Sequence, residues 1–191
     1  MLSNSISSIR SEDTESGLRF IENISRFLWK HHAGIYRDQN IDNYISSLPA
    51  NYTVSSSKDT KSEKVIVHIA TELYETGGHS NFIKNFLDAN INVKQILILT
   101  AQERPVPDEF ENITDRVSII KLSGETYESK VKEVIDVLSN VSGFILLSTH
   151  PNDVLPDMVL RNIDIPVITF NHADHVFWLG ASVTDIALNF R

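Results

Sequence analysis

The chain contains no cysteine. Disulfides, thiolate metal sites and cysteine nucleophiles are therefore excluded, and a reducing, cytoplasmic setting is the expectation. Long apolar runs are also missing. No window approaches the roughly 18 residues of a transmembrane helix, and the N-terminal "MLSNSISSIRSEDTESG" lacks the uninterrupted apolar core of a secretory signal. Basic charge is in short supply: 17 Lys and Arg face 25 Asp and Glu, for a net charge of −8. The basic residues are scattered, so a nucleic-acid-binding surface is not expected. The common catalytic signatures are absent: no P-loop, no G-x-G-x-x-G, no G-x-S-x-G elbow, no H-E-x-x-H and no EF-hand loop. Glycine is scarce too. Only seven occur in 191 residues, yet Gly77 and Gly78 stand side by side.

What remains is an ordinary globular composition, 41% hydrophobic and 22% charged. The length suits one domain with a real core plus an extension. Residues 1–10 are Ser-rich. Leu18, Ile21, Ile24 and Leu28, widened by Phe20 and Phe27, have the spacing of a helix over residues 14–30. Ile41, Tyr44, Ile45 and Leu48 predict a second, ending at Pro49. Residues 49–64, polar and Ser/Lys-rich, read as a linker or long surface loop; the "NYT" sequon at Asn51 falls there. Residues 1–63 thus form a helical extension and linker.

From residue 64 to 191 apolar runs alternate with helical patterns. Strands are predicted at 65–70, 93–100, 116–122, 143–149, 166–171 and 184–190. Helix faces follow at Phe82, Ile83, Phe86 and Leu87, and at Tyr127, Val131, Val134, Ile135 and Leu138. Residues 153–162 read as a helix kinked or broken by Pro156. The runs are continuously apolar rather than alternating, as in strands buried on both faces of a parallel sheet. The expected fold is α/β: a Rossmann-like, doubly wound, mainly parallel sheet with an N-terminal helical extension. Right-handed crossovers then put the strand-to-helix loops at the carboxyl edge, where ligands of such folds bind.

Three of those loops carry chemistry. In "ELYETGGHS", Gly77 and Gly78 let backbone N–H groups approach a phosphate, the following helix adds its N-terminal dipole, and His79 and Ser80 offer further donors. The plainer alternative is a glycine turn into a helix capped by Ser80. In "STHPND", His150 precedes a proline and is held extended, while Asn152 or Asp153 suits an N-cap. The loop "NHADHVFWLG" packs His172, Asp174, His175, Phe177 and Trp178 together. His-x-x-His with no distant third ligand is a weak metal signal. Hydrogen bonding to a sugar or phosphate suits these residues better, with Phe177 or Trp178 either walling the ligand or filling the core. His68, inside the first strand, reads as a buried structural histidine; His31 and His32 follow a helix end.

Together, "ETGGHSNFIKNFL" and "FNHADHVFWLGAS" resemble the N-terminal domain of bacterial glycosyltransferases of the two-Rossmann (GT-B) architecture, over about residues 64–191. The resemblance implies a nucleotide-sugar donor, a saccharide or other hydroxyl acceptor, and no required metal or cofactor. It places Gly77, Gly78 and His79 on the substrate or its phosphate, to which the loop reading adds Ser80 and His150 as further substrate- or phosphate-binding candidates. It makes His172, Asp174 and His175 the catalytic candidates, leaving open which histidine faces the cleft. It also implies a second, C-terminal Rossmann domain, which this chain does not include, so the chain alone is expected to be inactive. An apolar surface left by that domain would favour self-association into a homo-oligomer. Two other readings stand beside it: a non-catalytic nucleotide- or sugar-binding regulatory module, and half of a sugar-nucleotide epimerase. The transferase reading requires the first, fourth and fifth loops to form one cleft.

Overall fold

The computed structural model describes residues 14–32, 34–48, 64–113, 115–139, 141–172 and 175–189. The Ser-rich segment 1–10, residues 49–63 of the linker with Asn51, Asp174 and the last two residues of the chain lie outside the described residues.

The apolar runs become six strands: β1 (Lys64–Ala70), β2 (Lys94–Leu99), β3 (Val117–Lys121), β4 (Ser142–Ser148), β5 (Val167–Asn171) and β6 (Ile186–Asn189). They form one open sheet in the order β3-β2-β1-β4-β5-β6, with every pairing parallel. This is the doubly wound Rossmann order, and its switch point lies between β1 and β4. Ala70 pairs with Leu99 on one side and Ser148 on the other, so the three central strands end level. Gly143, at φ +151°, permits that pairing; a Cβ there would sit 2.1 Å from the Val65 carbonyl oxygen.

Burial on both faces explains the unbroken apolar runs of the central strands, while the outer strands β3 and β6 are partly exposed. Val65, Val67 and Ile69 point into one core, and Ala70 with Leu97 and Leu99 into the other. The second core is closed by α3 (Gly78–Ala89) through Ile83 and Leu87, and by the short α4 (Asp108–Glu111) through Phe110. The first core is closed by α5 (Tyr127–Leu138) and α6 (Leu155–Leu160). Into the same core go Leu18, Ile21 and Leu28 of α1 (Thr14–Lys30), with Ile41 and Ile45 of α2 (Gln39–Ser47). The N-terminal helices therefore pack directly on the sheet's first face. Asp38 caps α2 by accepting from the Asn40 N–H at 2.8 Å and the Ile41 N–H at 3.3 Å. Among the described residues no helix is long and apolar enough to cross a membrane.

Local details differ from expectation in three places. Pro156 neither kinks nor breaks its helix: α6 begins at Leu155, and a proline in the first turn loses only an N–H that has no intrahelical partner. The residue preceding α6 is Val154, not Asn152 or Asp153, although Asp153 Oδ1 accepts the Leu155 N–H at 3.2 Å. α3 begins at Gly78, and Ser80 is not its cap. Gly77 at φ +137° leads into the helix, and the buried Ser80 Oγ accepts the Tyr74 N–H at 2.8 Å, tying the loop back on itself.

Candidate functional site at the carboxyl edge

Because β1, β4 and β5 are neighbours, the loops that follow them adjoin at the switch point. α3 leans toward β5 through Phe82, whose ring stacks on Phe170 at 3.6 Å and 11°. That contact sets His79, one helical turn earlier, against His172 just beyond β5. Their ring centroids are 4.8 Å apart, and His79 lies 6.0 Å from His150 at the end of β4. His79 Nε2–H donates to the Ser148 carbonyl at 2.5 Å, which leaves Nδ1 as the lone-pair nitrogen. That Nδ1, like the Nδ1 of His172, is buried with no partner among the described residues.

Burial lowers the His79 pKa to about 4, against the opposing pull of the Ser148 carbonyl. His172 and His150 are also lowered, each mainly by burial. The three rings are thus pushed toward the neutral form. In front of them, Gly77 and Gly78 are exposed, and an added Cβ at either would meet nothing within 4 Å. No side chain caps the start of α3. Its first-turn N–H groups and dipole therefore face open space beside the histidines.

A polar network locks the strand ends beneath. Asp153 Oδ2 accepts from Thr71 Oγ1 at 2.7 Å and from Thr100 Oγ1 at 2.5 Å. Thr71 Oγ1 in turn accepts the His150 N–H at 2.8 Å, and Lys130 Nζ donates to the Thr100 carbonyl at 2.8 Å. Tyr74 donates its phenol proton to Glu72 and sits 3.3 Å from His150 Nε2. Burial first, then Glu72, pushes the Tyr74 phenol up to about 12. α1 walls this region. Trp29 lies 6.1 Å from the His150 ring, Glu22 accepts from Tyr127 Oη at 2.6 Å, and Glu15 accepts the Tyr127 N–H at 2.9 Å. Between α1 and the strand ends is a polar cavity of about 280 Å³, lined by Glu22, Thr71, Thr100, Tyr127, Lys130 and Asp153 among others. A larger, more apolar cavity of about 730 Å³ lies between α1, α5 and α6, and none of the three histidines lines either cavity.

The structure thus brings Gly77, Gly78, His79, His150 and His172 to one edge. Ser80 stands there as a buried tether rather than as an open donor. His172, beside His79, occupies the cluster, whereas His175 is exposed; Asp174 lies outside the described residues. Phe177 is 1% exposed and belongs to the core, while Trp178 is half-buried, with its backbone N–H on the Tyr36 carbonyl at 3.3 Å. His68 is buried, within 3.0 Å of Gln95 Oε1, and held near 4 by burial. His31 and His32 are exposed, against Phe27 and Tyr36. No group of three or more His, Cys, Asp or Glu side chains among the described residues is placed to hold a metal ion.

Sequence reasoning missed Thr71, Glu72, Tyr74, Thr100 and the α1 residues Glu22 and Trp29. The available signal was the polar "TELY" directly after β1, which topology puts at the carboxyl edge. Comparison with known proteins finds no match, whether to a family model, to a curated protein or to a solved structure.

Proposed function

We propose that this chain is the acceptor-side Rossmann domain of a transferase that moves a sugar from a nucleotide-activated donor to an acceptor hydroxyl. The observation that carries the reading is the meeting of two loops far apart in sequence: the rings of His79 and His172 lie 4.8 Å apart, beside the switch point. Ligands of open α/β sheets bind at that place. The uncapped start of α3, with Gly77 and Gly78 facing open space, suits a diphosphate. The near-neutral histidines suit sugar hydroxyls, which need donors and acceptors rather than charge. Catalysis in this reading rests on positioning the hydroxyl and stabilising the leaving nucleoside diphosphate, with most donor contacts coming from a second Rossmann domain opposite this edge.

Titration with UDP-, GDP- and dTDP-hexoses, followed by amide and imidazole NMR signals, tests it. The expected result is selective movement of the Gly77, Gly78 and His172 signals, and a gain in unfolding free energy of about 2.7 kcal/mol at a hundredfold excess over Kd. The reading fails if none of these compounds, nor a simple sugar, moves those signals at millimolar concentration. Binding without nucleoside diphosphate release, even when a second domain is attached, would favour a non-catalytic sugar-binding module.

A further inference from the structure

We propose that His150 is the proton acceptor of the carboxyl-edge site, and that Tyr74 and Glu72 are positioning residues that fix its tautomer. The argument is one of proton counting. Tyr74 has a single phenol proton and gives it to Glu72 Oε1. Its oxygen can then only accept from the imidazole, so the nitrogen 3.3 Å away, His150 Nε2, carries the hydrogen. The two rings lie nearly parallel, 12° apart with centroids at 5.8 Å, so the phenol and imidazole are held side by side. The lone pair is left on His150 Nδ1. No partner for this atom is found among the described residues, and, unlike Nδ1 of His79 and His172, it is not one of their buried unpaired atoms.

Carboxylate, phenol and imidazole thus form a chain in which each member orients the next, the geometry that activates a base. A second tether acts on the backbone. Thr71 gives its proton to Asp153 and accepts the His150 N–H, holding the residue at the end of β4. Burial, the largest influence, disfavours the protonated ring, Asp153 and Glu72 favour it, and Arg26 opposes it. Trp29 from α1 and His79 from α3 complete its surroundings.

The identity of the proton donor rests on the transferase reading. There, the acceptor hydroxyl oxygen bonds to the anomeric carbon. The bond from that carbon to the diphosphate oxygen breaks, and its electron pair leaves with the diphosphate. The hydroxyl proton moves to His150 Nδ1. The step is a single displacement and inverts the anomeric centre.

Long-range proton–nitrogen NMR on the full chain reads the tautomer directly. Neutral His150 is expected as the Nε2–H form, drifting to a mixture in Tyr74→Phe and titrating at lower pH in Glu72→Gln. Unchanged His68 signals serve as the folding control. Diethyl pyrocarbonate followed by peptide mass spectrometry is expected to modify His150 at least several-fold faster than His79 or His172. An Nδ1–H tautomer, a tautomer indifferent to Tyr74→Phe, or an unreactive His150 would overturn the proposal. Failure of the nucleotide-sugar titration counts against the transferase reading alone, because the tautomer is read without any ligand.

Discussion

Replacing Asp157 by Asn should stabilise the protein more in mild alkali than in mild acid. Asp157 sits on α6, only 2% exposed. Ser182 Oγ donates to its Oδ1 at 2.6 Å, and Oδ2 has no partner among the described residues. Burial raises its pKa from 3.8 to about 7, with Asp42 adding to the effect and the Ser182 and Gly180 hydrogen bonds opposing it. Between those values the native carboxyl keeps its proton while the unfolded one has lost it. The native state then binds more protons, so stability falls as pH rises through the window, and the penalty is complete above about 7. A rise from 3.8 to about 7 sets a ceiling of about 4 kcal/mol, of which the interval from about pH 5 to about pH 8 samples about 3 kcal/mol. Asn keeps the acceptor for Ser182 and cannot ionise. His68 and His79, both held near 4, impose the opposite slope between about 4 and 6.5 in either protein, so they drop out of the difference. The assay is denaturant unfolding of both proteins at the two pH values. An equal stability difference at both, or a gain confined to the acid side, would refute the reasoning.

Gly78→Ala should stabilise the fold by about 0.5 kcal/mol, since a Cβ there meets nothing and the residue is helical; the same methyl should weaken nucleotide-sugar binding, read by titration. Gly77→Ala should instead destabilise by about 1 kcal/mol or more in denaturant unfolding, because φ is +137°. Gly143→Ala should prevent proper pairing of β1 with β4, since the new Cβ would lie 2.1 Å from the Val65 oxygen; loss of soluble folded protein by circular dichroism is the expected readout. Leu18→Ala, fully buried in α1, should cost about 3 kcal/mol in global unfolding, whereas a separately folding extension would show a second transition.

The central strands could be read from sequence because each carries its own signature, whereas the edge strand β6 is exposed along most of its length. "VIVHIA" and "ILIL" are apolar without alternation, and only burial on both faces produces that. The loops carrying His79 and His172 could be paired because right-handed crossovers send them to one edge, whatever the residues between, but the choice of His172 over His175 comes from the structure. The network beneath them could not. Thr71 and Asp153 are 82 residues apart, and Tyr74 and His150 are 76 apart. Their meeting depends on β1 lying next to β4, which no periodicity reveals. Asp153 had the look of a cap, and it does reach the Leu155 N–H, but its other oxygen binds the hydroxyls of the two threonines that directly follow β1 and β2. Local pattern reports the first role and is silent on the second.

The place of α1 joins the fold to the site. Its inner stripe of Leu18, Ile21 and Leu28 shares a core with β1, β4 and α5. Residues on its neighbouring face meet the carboxyl edge: Glu15 at the start of α5, Glu22 on Tyr127 and Asn152, and Trp29 beside His150. A helix anchored by one face and touching the carboxyl edge by the next couples its packing to that edge. Loosening Leu18 should therefore shift the His150 imidazole signals before the protein unfolds. Substitution at an exposed position of the same helix, such as Asn23, should leave them in place, because Asn23 faces solvent.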